Sequence, residues 1–255
     1  MFTHAERQSD LLRLQADHLS RYRWACQWAT GARCLDLGCG TGYGSRILAS
    51  SGALEVIGMD ISAEAVDMAR SYGELRNLEF RVGDATTVST LSNSKFDLVT
   101  CFEVIEHVAD PGAIVAQIRS LLAENGVSLI STPNADIGFS DNPFHLSEMR
   151  SEQFRALVGA HFKRARWFGQ FDPNERWHRP DWQRKLIRGI PTWIRKLRKS
   201  AKNDQRGSAV TEFFWERFNC RHPFSCDEFY PMPWQVAMES MYTPPPSMIL
   251  VAAQP

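Results

Sequence analysis

Residues 33–44 constrain the fold more than any other stretch, because a short apolar segment there runs straight into four closely spaced glycines. Cys34, Leu35 and Leu37 have the pattern of a buried strand, and glycines follow at positions 38, 40, 42 and 44. Glycine lets the backbone turn sharply and lie against a ligand where a side chain would collide. A helix is predicted over Ser45–Ser51, and its free amide groups would face the same ligand. A tight turn from strand to helix also explains the glycines without a ligand, so the motif needs context.

Two details separate this glycine loop from the common phosphate-binding loops. It has no Gly-Lys-Ser/Thr ending, which argues against a P-loop, and its third glycine stands one place too early for the dinucleotide pattern. Asp36 stands two residues before the first glycine, where a carboxylate could meet a cationic ligand. A negative group beside such a loop favours an amino-acid-bearing nucleoside over a pyrophosphate.

Strand patterns and helical patterns alternate as far as about residue 170. Helices are predicted with Ser62 as one N-cap, with Asp110-Pro111 beginning another and with Asn125-Gly126 ending it. This alternation predicts an α/β fold with a doubly wound, mostly parallel sheet, preceded by an N-terminal helix over residues 5–29. The further strands are predicted over Leu54–Met59, Leu78–Val82, Phe96–Phe102, Val127–Ile130 and Ala165–Phe168.

The pattern changes after Phe171. Residues 172–246 show no strand-helix alternation, and six of the eight tryptophans lie beyond residue 166. A last apolar strand, Met248–Ala252, is predicted to return to the sheet beside the strand at 165–168. We therefore predict one doubly wound domain, made of residues 1–171 and 247–255, and an insert or cap over 172–246 on the substrate side.

The composition is that of an ordinary globular protein, with 44% hydrophobic and 23% charged residues. The formal net charge is zero, so no overall field favours nucleic acid or a membrane. The six cysteines form no CxxC pair, which suits a reducing compartment. The N-terminus lacks an apolar signal core, and no run of 18 apolar residues occurs. These features predict a cytoplasmic protein.

Acidic residues end four successive predicted strands, at Asp36, Asp60, Asp84 and Glu103. Ligands of doubly wound sheets bind at the carboxyl ends of the strands, so four acids on that edge predict a binding site. Asp60 follows the glycines by about 20 residues, the position from which an acid accepts hydrogen bonds from ribose hydroxyls.

The segment LDLGCGTG, Leu35–Gly42, resembles the first motif of class I S-adenosylmethionine-dependent methyltransferases. The resemblance covers about residues 15–170. It implies that Asp36 and the loop backbone hold the methionine end, that Asp84 and Ala85 contact the adenine edge, and that Arg21 or His18 reaches the methionine carboxylate. Ile61 and Phe102 would sandwich the adenine ring. The implied cofactor-binding residues are Arg21, Asp36, Gly38, Cys39, Gly40, Gly42, Asp60, Ile61, Asp84, Ala85, Phe102 and Glu103.

The candidate catalytic residues follow the strand at 96–102. Glu103, Glu106 and His107 form a Glu-x-x-Glu-His string, and His145 lies in a later Asn-Pro-Phe-His segment. Three interpretations stay open: the string braces the loop while Glu103 touches the cofactor, a histidine is the general base, or the four side chains hold a divalent cation. The string resembles both quinone-pathway O-methyltransferases and small-RNA 3′-terminal 2′-O-methyltransferases.

The acceptor is predicted from a thinner resemblance. The segments STPN at 131–134 and NPFHLSE at 142–148 resemble methyltransferases that act on sugars or other small metabolites. The first half of the chain has no basic stripe with stacked aromatics, which disfavours nucleic acid. The prediction is O-methylation of a sugar, glycan intermediate or other small metabolite. The alternatives are a metal-dependent RNA 3′-terminal 2′-O-methyltransferase and a non-catalytic binding protein on the same fold.

The insert contains a strongly basic stretch at residues 176–206, with eleven Lys or Arg against two acids. Apolar residues interleave with these cations, so the stretch could lie on an anionic membrane or bind a phosphorylated substrate. A solvated charged face explains the same composition. Pro191 argues against a single unbroken helix there.

Overall fold

The computed structural model describes residues 18–88, 95–139, 142–170, 231–233 and 248–255. Residues 18–25 are helical and are called α1. The helices that follow are α2 (Tyr43–Ser50), α3 (Ala63–Ser71), α4 (Pro111–Leu121) and α5 (Ser151–Gly159). The strands are β1 (Arg33–Leu37), β2 (Glu55–Asp60), β3 (Leu78–Val82), β4 (Phe96–Phe102), β5 (Leu122–Pro133), β6 (Arg164–Gln170), β7 (Met232–Pro233) and β8 (Met248–Gln254).

The described strands form one sheet in the order β3-β2-β1-β4-β5-β8-β6-β7. Strands β1 to β5 pair in parallel, and β8 runs antiparallel to both of its neighbours, β5 and β6. The predicted doubly wound, mostly parallel sheet is confirmed. The last strand also lies beside β6, as predicted.

Apolar side chains cover both faces of the sheet. On one side Ile114 of α4 and Phe154 of α5 are fully buried in one core cluster. A second cluster contains Tyr22 of α1 and Leu48 of α2. The central strand β4 lies between them and is buried over all but one residue, because a parallel strand flanked by helices has no solvent-facing side.

Two predicted helix starts are confirmed. The Ser62 side chain accepts a hydrogen bond from the Ala65 amide at 3.2 Å, which satisfies one of the free N–H groups of α3. Asp110 does the same for α4 through the Ala113 amide, with Pro111 at the first helical position. Local sequence therefore determines where both helices begin.

The predicted end of α4 at Asn125-Gly126 is wrong, because α4 ends at Leu121 and β5 begins at once. Leu122 already pairs with Phe96 of β4, and the register then shifts before Val127 pairs with Leu98. A Cβ on Gly126 would lie 2.8 Å from the Phe96 carbonyl oxygen. Gly126 thus allows β4 and β5 to approach closely where their register shifts, and it does not cap a helix.

Several predictions lie outside the described residues. They are the first part of the N-terminal helix, residues 5–17, and nearly all of the insert, including the basic stretch at 176–206. Within the insert the structure describes residues 231–233, where β7 adds a short antiparallel strand to β6. The division into two units therefore stays a prediction. Among the described residues, no helix has both the length and the apolar character needed to cross a membrane.

Candidate active site

The glycine loop joins β1 to α2, and three of its glycines have left-handed backbones. The φ angles of Gly38, Gly40 and Gly42 are +72°, +52° and +80°. A Cβ on Gly38 would lie 2.2 Å from the side chain of Val104, and one on Gly42 would lie 2.4 Å from Phe80. At Gly40, by contrast, no atom of the described residues other than its chain neighbours lies within 4 Å of that position. Packing explains the first and third glycines, whereas Gly40 faces open space in which a ligand could lie.

Asp60 at the end of β2 is fixed by the loop that it supports. Its Oδ2 accepts a hydrogen bond from the Gly40 amide at 2.8 Å, and its Oδ1 accepts one from the Ser62 amide at 2.9 Å. Each carboxylate oxygen keeps a further lone pair. This half-buried carboxylate can therefore still accept ribose hydroxyls, and that role stays a prediction. The Cys39 amide donates to the Met59 carbonyl at 2.9 Å, which places its N–H inside the fold.

Asp36 is fully buried, and this is at odds with its predicted contact with a cationic ligand. Its carboxylate accepts hydrogen bonds from Tyr22 at 2.8 Å, from Ser45 at 2.6 Å and from Thr100 at 2.7 Å. Burial raises the pKa of Asp36 to about 6, although the three hydrogen bonds oppose that rise. The side chain ties α1, α2 and β4 to β1 beneath the glycine loop.

Arg21, predicted to contact the methionine carboxylate, is held by other residues of the protein. Its guanidinium is fully buried, lies 3.1 Å from the Glu103 carboxylate and donates to Gln170 at 2.6 Å. His18 lies 3.5 Å from the other oxygen of Glu103 and 3.0 Å from the Tyr43 hydroxyl. A methionine carboxylate would have to compete with Glu103 for either side chain. The contact of Arg21 or His18 with the methionine carboxylate therefore stays a prediction, and it requires displacement of Glu103.

Glu103 links this ion pair to the loop after β4. Of the described non-glycine residues, it is the one with a positive φ, +56°, a conformation that costs about 1–3 kcal/mol. Its amide lies 3.2 Å from the Ser131 hydroxyl, at the end of β5. The side chain is 23% exposed, so a cofactor contact stays open to it.

The two residues predicted to sandwich the adenine ring differ in exposure, and the sandwich stays a prediction. Ile61 is 71% exposed, as an open ring contact requires, but Phe102 is only 5% exposed and lies edge to face against Tyr22. Asp84 is exposed at the end of β3, and hydrogen bonds from the Thr86 amide and hydroxyl hold the pKa of its carboxyl below the usual value. Ala85 is partly buried against the core. Asp84 and Ala85 stay predictions for the adenine edge.

Backbone hydrogen bonds bring together two loops that are far apart in sequence. The Glu106 carbonyl oxygen accepts hydrogen bonds from the amides of Leu146 at 2.7 Å and Ser147 at 2.9 Å. The Ser147 hydroxyl donates to the Val108 carbonyl at 2.8 Å. These bonds fix residues 142–149 against the turn that follows β4, and they place His145 beside Glu106 and His107.

Glu106, His107 and His145 form a cluster whose candidate metal-binding atoms all lie within 4.8 Å of one another. The Glu106 side chain is fully buried, and neither of its carboxylate oxygens has a hydrogen-bond partner among the described residues. Burial and then the charge of Glu103 raise the pKa of Glu106 to about 8. A buried carboxyl group without partners is costly, so it is the group that a cation would satisfy.

The cluster differs from the predicted metal site in two respects. Glu103 lies outside it, because its carboxylate pairs with Arg21 and His18. Sequence reasoning also missed Glu148, whose carboxylate accepts a hydrogen bond from Nδ1 of His145. The signal was present as the spacing of three residues between His145 and Glu148 in HLSE, which fits a contact across a single turn.

A family model described as a methyltransferase domain matches residues 8–184, which is more than half of the chain. The chain therefore belongs to this methyltransferase family. This membership confirms the class that the glycine motif predicted.

The curated relatives share part of the chain. The ubiquinone biosynthesis O-methyltransferase of Glaesserella parasuis is 38% identical over 110 residues, which cover 41% of this chain and 46% of the relative. The protein of the same name from Neisseria meningitidis is 34% identical over 128 residues, which cover 49% of this chain and 52% of the relative. The chain thus spans about half the length of the curated relatives that it matches.

Solved structures extend the likeness in fold to most of the chain. A SAM-dependent methyltransferase from Archaeoglobus fulgidus matches with a TM-score of 0.59 and 17% identity, over 95% of this chain and 94% of that one. The [4+2]-cyclase SpnF matches with a TM-score of 0.52 and 18% identity, over 94% of this chain and 81% of that one. At these identities the likeness shows the fold alone, and function has to be argued from the site.

Proposed function

We propose that this protein transfers the methyl group of S-adenosylmethionine to a hydroxyl of a small molecule, such as a sugar, a glycan intermediate or another small metabolite. One observation carries the proposal. The carboxylate of Glu106 is buried next to His107 and His145, and it has no hydrogen-bond partner among the described residues. Family membership supports methyl transfer. The names of the curated relatives support a hydroxyl acceptor on a small molecule.

The cofactor would bind across the carboxyl ends of β1, β2 and β3. Open space at Gly40 would accommodate it against the backbone, while Asp60 accepts hydrogen bonds from the ribose and Asp84 with Ala85 contacts adenine. The exposed Ile61 would cover one face of the ring. Asp36 supports the loop from below rather than contacting the sulfonium.

The chemistry needs alignment and removal of one proton. The methyl group of a sulfonium is already activated, so the acceptor oxygen bonds to the methyl carbon as the carbon–sulfur bond breaks, and the protein must hold the two in line. The acceptor hydroxyl must also lose its proton. His107 and His145 are the described histidines that lie close to the Glu106 carboxylate, and we assign this proton to one of their imidazoles.

A divalent cation is the alternative way to assist the loss of this proton, because an imidazole that binds a cation through its lone pair cannot also accept the proton there, and the proton would then pass to water. Two imidazoles and one carboxylate are a donor set suited to a transition metal or zinc, and the unsatisfied oxygens of Glu106 fit such a role. A cation held there by Glu106, His107 and His145 would lower the pKa of a bound hydroxyl. Glu103 would keep its ion pair with Arg21 and would not bind the cation.

Cofactor binding is tested first, by calorimetric titration with S-adenosylhomocysteine. The wild-type protein should bind, and Asp60→Ala should bind at least about tenfold more weakly, a loss of about 1.4 kcal/mol. Asp67→Ala, which changes an exposed acid on the neighbouring helix, should bind as the wild type does. Equal affinity of all three proteins would remove the proposed cofactor site.

Methyl transfer is tested with labelled S-adenosylmethionine, using sugars, phenolic metabolites and short RNA as acceptors. Transfer to a small-molecule hydroxyl that is lost with chelator and in Glu106→Gln supports the full proposal. Methyl transfer that is unchanged by chelator and in Glu106→Gln would contradict the proposed cation, and the methyltransferase activity would still be supported. Transfer to RNA alone would favour the RNA 2′-O-methyltransferase, and cofactor binding without any turnover in cell extract would favour a binding protein.

The basic stretch at 176–206 remains a proposal for a second contact, either an anionic membrane surface or a phosphorylated substrate. Flotation with anionic vesicles compares the full chain with one that lacks residues 184–202. Loss of flotation on deletion supports the membrane role. Equal behaviour of the two chains argues against it.

A further inference from the structure

Glu148 has a buried and well-defined contact that the chemistry above does not use. Its side chain is 6% exposed, that of His145 is 13% exposed, and the Glu148 carboxylate bonds to Nδ1 of His145. An ionised carboxylate can only accept hydrogen bonds, so Nδ1 must carry the hydrogen. In the neutral imidazole this leaves the lone pair on Nε2.

The backbone on both sides of Glu148 is anchored. Before it, the amides of Leu146 and Ser147 donate to the Glu106 carbonyl at 2.7 and 2.9 Å. After it, the Met149 carbonyl accepts a hydrogen bond from the Ala135 amide at 3.1 Å, beside the end of β5. The backbone of Glu148 is therefore held between two fixed points, and its carboxylate contacts His145 from this anchored position.

His107 has the same arrangement with a neutral acceptor. Its Nδ1 lies 3.0 Å from the Phe144 carbonyl oxygen, which also can only accept a hydrogen. Both imidazoles are thus fixed with hydrogen on Nδ1, and their ring centres lie 4.8 Å apart. The difference is that His145 faces a carboxylate, and a carboxylate makes the opposite nitrogen a stronger donor to a cation or a proton.

We propose that Glu148 is a positioning residue, which fixes the tautomer and orientation of His145 so that Nε2 is available to a divalent cation or to the acceptor's proton. This inference rests on the proposed function in one respect, namely the identity of the group that Nε2 of His145 contacts. The tautomer itself is a property of the protein without cation, cofactor or acceptor.

The first test measures that tautomer directly. Histidine labelled with ¹⁵N reports by NMR which ring nitrogen carries the hydrogen, and the His145 signals are identified by their loss in His145→Asn. The wild type and Glu148→Gln, whose amide oxygen can still accept, should show hydrogen on Nδ1. Glu148→Ala should show a mixture of tautomers or the opposite one.

The second test measures binding of the metal alone, by titration with Co²⁺ followed through its visible absorption. Loss of an outer partner of a metal-binding histidine costs about 10- to 100-fold in metal affinity, which is the loss expected for Glu148→Ala. Glu148→Gln should lose less, because it keeps the geometry and removes only the charge. Asp67→Ala breaks an exposed pair of the same three-residue spacing and should bind Co²⁺ as the wild type does.

The outcomes separate this inference from the proposed function. An unchanged His145 tautomer in Glu148→Ala would overturn the inference, and so would a changed tautomer with unchanged affinity for Co²⁺ and an unchanged pH profile of methyl transfer. A Glu148-dependent tautomer in a protein that binds no Co²⁺ would overturn the proposed cation and keep Glu148 as the residue that orients His145 as a base. Retained binding of S-adenosylhomocysteine and an unchanged melting temperature in Glu148→Gln exclude misfolding as the cause.

Discussion

Gly40 and Gly31 differ in position but share the same backbone requirement, so they form a matched pair. Both have positive φ, +52° and +71°, and a Cβ added to either would have no atom within 4 Å in the described part of the chain, apart from the adjoining residues. Alanine at either site should cost about 1–2 kcal/mol of folding stability. Only Gly40→Ala should also weaken S-adenosylhomocysteine binding, by about tenfold or more, since its Cβ would enter the proposed cofactor space. Calorimetry with both variants checks this, and equal binding by both would contradict it.

Asp36 should make stability depend on pH. Its pKa is raised from 3.8 to about 6 in the folded protein, so the folded state holds its proton more tightly than the unfolded chain does. The contribution of Asp36 to the free energy of unfolding is therefore greatest below pH 4 and falls by about 3 kcal/mol as pH rises through 6. In Asp36→Asn this fall should disappear, whereas Asp67→Asn should retain it. Urea unfolding between pH 4 and 7 measures the difference.

Glu106 should lower the stability of the fold at high pH, while methyl transfer depends on its side chain. The pKa of its buried carboxyl is raised from 4.5 to about 8, so without a cation the folded protein keeps the proton at pH values where the unfolded chain has lost it. The stability of the fold therefore falls as pH rises from about 4.5 to about 8. Glu106→Gln resembles the protonated form, so it should unfold like the wild type at pH 4 and be more stable than the wild type at pH 9. The same variant should lose methyl transfer. Lower stability at both pH values would contradict this account.

Helix α1 is fixed to the sheet by a buried cation, which is a property of the element rather than of one site. Arg21 joins the end of β4, through Glu103, to the end of β6, through Gln170. Arg21→Ala should cost about 3 kcal/mol, because it leaves Glu103 and Gln170 poorly satisfied. The exposed pair of Arg70 with Asp67 gives a comparison, and Asp67→Ala, which leaves the bond from Arg70 to the Phe80 carbonyl in place, should cost at most about 1 kcal/mol. Thermal unfolding of both variants measures the contrast.

At the same scale, the sequence predicted what local chemistry determines. The caps at Ser62 and Asp110 and the apolar run of β4 were found because each depends on neighbouring residues alone. The end of α4 was missed, because the pairing of Leu122 with Phe96 of the adjacent strand overrides the Asn125-Gly126 signal.

The site was predicted less completely than the fold for a related reason. His145 was correctly grouped with Glu106 and His107, but the backbone hydrogen bonds that join their loops have no local sequence pattern. Asp36 and Arg21 were assigned to the ligand because the sequence does not show that Asp36 bonds to Tyr22 and that Arg21 pairs with Glu103. A residue's type suggests its chemistry, and tertiary contacts decide whether that chemistry is still available.

At the scale of the whole molecule, the two ends of the predicted insert are adjacent in the sheet. Gln170, at the end of β6, pairs with Met248, at the start of β8. A chain in which a short turn replaces residues 172–246 should therefore keep the β6–β8 pairing, and shorter loop closure favours it by about 2 kcal/mol. We expect it to fold and bind S-adenosylhomocysteine while losing methyl transfer to the natural acceptor.

Circular dichroism and calorimetry of the shortened chain check this expectation. The design removes β7, so an exposed edge of β6 has to be protected by a charged residue in the new turn. A chain that no longer folds although this edge is protected would show that the insert is part of the core. That result would overturn the predicted division into a domain of residues 1–171 and 247–255 and an insert.

The position of β8 between β5 and β6 has a consequence for how proteins of this architecture can diversify. Because the polypeptide leaves the sheet and re-enters it at neighbouring positions on the edge where ligands bind, the segment between them can be lengthened, shortened or exchanged without a change in strand register. If the insert contacts the acceptor, as predicted, a new acceptor preference can be acquired by exchanging residues 172–246 alone.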